Sequence, residues 1–234
     1  MNKDFIVKCE MTIERTSQEL IDWVEQKSLD ISKQKFGTEA LRMRKGFCKQ
    51  FIEEIYPLSI LARLEFPSRN DVTFKPIIGS QNYDALIIYN LPSPKIESKI
   101  EITQAHEGQD NHSRRFMIQN YGSAPLNGQI NKIGTRKTEI ELGGLAKKVI
   151  VRDVQDSVND QIKLIGEALD RKLKKSYERD TSLLIIFDDL ITSLEEDAEK
   201  QLRDFINAQS RIKEKFSTLY LVGWQKLIYL KFEY

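Results

Sequence analysis

Two acids sit where acids are costly. Asp84 lies in the apolar run 83–89, and Glu101 is flanked by Ile100 and Ile102 in the run 99–105. A lone carboxylate is expensive to bury unless it meets a cation, so two of them on neighbouring strands point to a shared partner. A divalent cation with oxygen ligands suits both. The competing reading puts the acids at strand ends, facing water or an arginine. A third acid, Glu54, falls at the edge of the apolar stripe Phe47, Phe51 and Ile55 of a helix, whereas Glu53 points nearly opposite. Glu54 is the one able to approach the sheet, the alternative being an exposed acid pair on a solvated face.

The elements that must position these acids follow from periodicity. Residues 17–35 read as a peripheral amphipathic helix with a capping serine, and a core helix begins near Thr38 and is bent or interrupted at Pro57. Strands at 72–78, 83–89 and 99–105, separated by turn residues, form a three-stranded meander. Residues 106–153 carry repeated glycines that break the pattern into short pieces with room for a hairpin, and read as an insertion over the sheet. A helix over 154–177 followed by the buried strand 182–187 reads as a crossover, and a charged helix over 194–215 leads to two strands around a turn at 223–226. The chain is expected to be one α/β domain: an N-terminal helical extension (1–37), a core (38–190) and a C-terminal helix with strands (191–234). The last strand, 227–232, is a candidate edge for pairing with a second copy as a homodimer.

Three stretches carry a family likeness. The helix end 51–58 (FIEEIYPL), then 82–85 (NYDA), then 100–105 (IEITQA) resemble the PD-(D/E)xK nuclease superfamily. The resemblance spans roughly 38–190 and implies a restriction-endonuclease-like mixed sheet flanked by helices, core order αβββαβ. It implies a Mg²⁺- or Mn²⁺-dependent nuclease, DNA as the expected substrate, with Glu54, Asp84 and Glu101 in the site and the metal on Asp84 and Glu101. Two positions depart from the pattern: Thr103 stands where the lysine is expected, and no proline precedes Asp84. Lys99, which shares the strand face of Glu101 by parity, and Lys163 on the following helix are the candidate replacements. Gln104 is a polar substitute although it falls on the opposite parity. With the acids kept and the lysine lost, the alternative is an inactive nucleic-acid-binding or protein-interaction domain on the same scaffold.

Charge adds a second line. The chain of 234 residues carries a net +1, yet residues 111–152 hold eight basic residues against two acids. Arg114, Arg115, Arg136 and Lys137 in that stretch are the candidate phosphate contacts; a solvated basic loop is the plain alternative. Cys9 and Cys48 lack metal-ligand spacing, and neither a signal-peptide pattern nor a membrane-length apolar run is present, so a reduced, cytoplasmic setting is expected. Gly143 to Lys148 lacks the glycine spacing of a phosphate loop, and no serine-hydrolase or dinucleotide fingerprint occurs.

Overall fold

Among the described residues, the β-branched and aromatic runs assemble into one seven-stranded mixed sheet whose spatial order follows the chain: β1 (Arg15–Thr16), β2 (Val72–Pro76), β3 (Ala85–Tyr89), β4 (Ile96–Ala105), β5 (Thr181–Phe187), β6 (Thr218–Gly223) and β7 (Tyr229–Glu233). A computed structural model describes residues 5–91, 93–106, 108–122, 154–190 and 192–234. Strands β1 to β4 are antiparallel neighbours, β4, β5 and β6 are parallel, and β7 returns antiparallel at the edge. The expected meander and the parallel crossover are both present.

The helices are α1 (Lys8–Met11), α2 (Ser17–Ser32), α3 (Gly37–Arg42), α4 (Cys48–Gln50), α5 (Tyr56–Glu65), α6 (Gly108–Tyr121), α7 (Val154–Leu173) and α8 (Ala198–Asn207). They divide between the faces of the sheet. Alternation along β5 sends Leu184 and Ile186 into a cluster with Phe51, Leu61 and Phe74 on the α2/α5 side. Leu183, Ile185 and Phe187 enter a second cluster with Ile165, Leu169 and Leu202 under α7 and α8. Every residue of β5 is buried, as a strand covered on both faces must be.

Several expectations are corrected. The helix α2 is not peripheral: Leu20, Val24 and Ile31 are fully buried in the first cluster. Its cap is Thr16, whose hydroxyl and backbone form a reciprocal capping box with Glu19. Ser17 instead donates to the carbonyl of Ala62 at 2.9 Å. Pro57 does not interrupt its helix. A π-helical turn, Phe51–Ile55, precedes it, in which the Tyr56 N–H reaches the Phe51 carbonyl five residues back. The wider turn accommodates a ring that has no N–H to donate, and helix continues from Cys48 to Glu65. Instead of one helix at 194–215 there are two short 3₁₀ turns flanking α8. The first part of the glycine-rich stretch is the 14-residue helix α6 rather than short pieces. Arg136, Lys137 and the rest of that stretch from 123 to 153, with its room for a hairpin, lie outside the described residues. No described helix is long and apolar enough to cross a membrane.

Candidate functional site

Strand β4 outruns its neighbour. Its pairing with β3 covers residues 96–100, while β4 continues to Ala105. Along 101–105, among the described residues, one edge of β4 therefore has no strand beside it, and its partner on the other side is β5. Asp84 closes the fork: its N–H donates to the Ile100 carbonyl at 2.8 Å, and its Oδ2 accepts the Ile102 N–H at 2.7 Å. A carboxylate thus takes the place of the missing strand at one rung of the ladder.

Beside this open edge lies a cavity of about 360 Å³ lined by Glu53, Glu54, Asp84, Glu101, Gln104 and Lys172, among others. Strand parity holds through it without a bulge. Glu101 faces α7 and Gln104 faces the π-helical turn, yet both line the cavity, because an exposed strand edge is reached from either face. This is how Gln104 enters a site that parity alone would deny it.

Glu101 is 4% exposed and is compensated from α7. The Lys172 Nζ donates to Glu101 Oε1 at 2.5 Å and to the Ile102 carbonyl at 3.3 Å. The Tyr177 hydroxyl donates to the same Oε1 at 3.3 Å, and Lys175 stands 3.6 Å from it. Neither replacement lysine expected from the sequence is there. Lys99 pairs with Glu178 and lies over the Tyr83 ring, and Lys163 is exposed on another side of α7. Lys172 is the lysine at the site, and it is absent from the candidates drawn from the sequence. The signal was present: Lys172 follows Ile165 by seven residues and Leu169 by three, so a lysine occupies a place in the buried stripe of α7.

The carboxyls repel one another. Burial and then the charge of Glu101 raise Asp84 to about 6, against the lowering effect of the Ile102 N–H and the two lysines. Burial, then Asp84 and Glu53, raise Glu54 to about 8. Glu53, expected to point away, lines the same cavity and forms an ion pair with Arg44. Arg44 also donates to Gln104 Oε1 at 3.0 Å, which directs the Gln104 amide nitrogen to the Ile52 carbonyl at 3.4 Å and the cavity. Burial and the charge on Glu101 also raise the Tyr177 hydroxyl, which stays a donor at neutral pH. Among the described residues no group of three or more His, Cys, Asp or Glu side chains is gathered as a metal cage.

Compared with known proteins, the chain matches no family model, no curated protein and no solved structure.

Proposed function

We propose that the chain is a divalent-metal-dependent nuclease that hydrolyses phosphodiester bonds, with DNA as its first candidate substrate, on a restriction-endonuclease-like scaffold. The observation that carries the reading is the fork itself: Asp84, immediately before β3, and Glu101 of β4 share one cavity, and a lysine on the crossover helix is bonded to Glu101. The order helix, β2, β3, β4, α7, β5 supports the scaffold.

Two carboxylates suit Mg²⁺ or Mn²⁺. Mg²⁺ keeps several waters and takes one or two protein carboxylates together with substrate phosphate, so it needs no cage. Burial and then mutual repulsion raise Asp84 and Glu54, and a cation between the carboxylates relieves both. Asp84 and Glu101 would hold it, with the Ile102 carbonyl beside them. When bound, the ion supplies Lewis-acid polarisation of the phosphate and a more acidic water. Lys172 keeps Glu101 oriented and brings a positive charge to where the phosphoryl oxygens gain negative charge. Gln104, its oxygen fixed by Arg44, offers N–H groups to hold the attacking water or a phosphate oxygen. Glu54 carries a proton at neutral pH and so adds no third anion until a cation lowers it.

The test is cleavage of plasmid, linear and single-stranded DNA with Mg²⁺, Mn²⁺ or chelator, with wild type beside Asp84→Asn, Glu101→Gln and Lys172→Met. Cutting that requires the metal and falls about 10²-fold or more in each variant is expected. Absence of cutting on all substrates, or cutting indifferent to these changes, would leave a non-catalytic binding domain as the better account.

A further inference from the structure

Two lysines at the end of α7 reach the cavity at the fork, and they are held in different ways. The Lys172 ammonium donates to Glu101 Oε1 and to the Ile102 carbonyl, so two of its three donors are fixed on β4. Its side chain is mostly buried in the cavity wall. Lys175 stands in the turn that follows the helix. Its Nζ is 3.6 Å from Glu101 Oε1, close enough for an ion pair and too long for a hydrogen bond, and its side chain is 53% exposed. Among the described residues no acceptor takes any of its three N–H donors.

The base of Lys175 is fixed while its tip is free. Its backbone N–H donates to the Lys172 carbonyl at 3.0 Å. The neighbouring Ser176 carbonyl accepts from Asn82 Nδ2 at 3.2 Å, and the Tyr177 ring packs on Phe216 with centroids 4.8 Å apart. The turn is thus pinned to the loop before Asp84 on one side and to Phe216 on the other. From that anchor a flexible four-carbon stem carries a strongly hydrated point charge to the cavity mouth. A half-exposed ion pair is weak, so the ammonium leaves Glu101 at little cost. Lys172 has no such freedom, because moving it would strip a buried carboxylate of its bonded cation.

We propose that the two lysines divide the work: Lys175 is the one that contacts substrate, its ammonium leaving Glu101 for a non-bridging oxygen of the phosphate at the fork, and Lys172 is a positioning residue that stays on Glu101. The proposal rests on the nuclease reading for the identity of the phosphate as part of a DNA strand. The choice between the lysines rests on their donors, exposure and anchoring alone. Lys175 thereby supplies, from a helix end, a mobile cation of the kind that the strand position of Thr103 does not.

The experiment is equilibrium binding of a labelled DNA oligonucleotide, as a single strand and as a duplex, in chelator across a salt series so that cutting plays no part. It uses wild type, Lys175→Met, Lys175→Arg, the neighbouring Lys174→Met, and the double variant Glu101→Gln, Lys172→Met, which removes the buried pair and keeps Lys175. Lys175→Met should weaken binding by about tenfold and reduce the slope of log affinity against log salt by about 0.9 on duplex or 0.7 on single strand, the loss of one phosphate contact. Lys175→Arg keeps the charge and should keep the slope. Lys174, exposed and outside the cavity lining, should be replaceable without effect, and the double variant should retain the wild-type slope. Where DNA is cut with Mg²⁺, Lys175→Met should also lower the single-turnover rate at saturating enzyme by about tenfold. Equal losses in Lys174→Met and Lys175→Met, a slope lost in the double variant, or no binding of either DNA by wild type would overturn the assignment. If binding depends on Lys175 in this way while no DNA is cut with any metal, the nuclease reading fails and Lys175 stands as a phosphate contact.

Discussion

Replacing Lys172 with methionine isolates the ion pair at the centre of the site. Methionine keeps the apolar stem that packs along α7 and removes the charge. Lys172 and Glu101 side chains are 14% and 5% exposed and 2.5 Å apart. At an effective dielectric of about 20 their gross attraction is roughly 7 kcal/mol, most of which offsets desolvation of the two ions. Breaking a buried pair from one side costs about 3–5 kcal/mol. Here Lys175, already 3.6 Å from Glu101 and half exposed, can close on the orphaned carboxylate, and Tyr177 still donates to it. The expected loss therefore falls at or below the low end of that range, about 2–3 kcal/mol, without added metal. Glu101→Gln should cost about 2 kcal/mol, and the double variant should cost less than the two singles together by about 1–3 kcal/mol. Urea unfolding of the four proteins in chelator supplies the cycle. A coupling below about 0.5 kcal/mol would refute the reasoning, because that is the value of an exposed pair.

Three further outcomes follow from the same structure. The folded-state pKa values of Asp84 and Glu54 lie above their ordinary ones, so the folded protein holds protons that the unfolded chain has released; stability present below about pH 4 is lost as pH rises toward 8. Glu54→Gln should flatten this decline by about 2 kcal/mol, roughly half the full shift because the side chain is partly exposed, as read by thermal unfolding in chelator across that range. Added Mg²⁺ or Mn²⁺ should raise Tm in wild type and not in an Asp84→Asn, Glu101→Gln double variant; equal shifts in both would remove these acids from metal binding. Asp189 is fully buried and accepts the N–H groups of Gln225, Leu227 and Ile228 at 2.8–3.0 Å, so Asp189→Ala should destabilise by about 3–5 kcal/mol in urea unfolding, and a loss under about 1 kcal/mol would contradict this.

Periodicity made the sheet legible. The alternation and apolar runs of β2 to β5 set the meander and the crossover, and Asp84, Glu101 and Glu54 stood out as acids against apolar stripes. What depended on three-dimensional ends and edges was not legible. Gln104 falls on the opposite parity to Glu101, and it reaches the site because β4 runs past β3 to Ala105, an open edge that strand alternation does not foretell. Lys172 sits in a charged stretch of α7, where its sequence neighbours give no hint that its Nζ goes to β4. Glu53 was turned away by assuming regular helix, and the π-helical turn before Pro57 changes the angular step. The helix α6 was missed because its polar sequence has little apolar periodicity. Arg44, reached from a loop with positive φ, had no periodic signal at all.

The Asp84 contact to Ile102 also gives this molecule a built-in reporter. The Ile102 amide proton is held by a titratable side chain at 2.7 Å rather than by a neighbouring strand. Its resonance frequency and its rate of exchange with solvent deuterium therefore track the charge on one carboxylate. Protonating that carboxylate, or drawing its electron density toward a cation, should move the Ile102 signal while the amides of β5, sealed between two strands, stay fixed. A single backbone signal can thus be followed as pH or metal is varied, without a label and without a turnover assay.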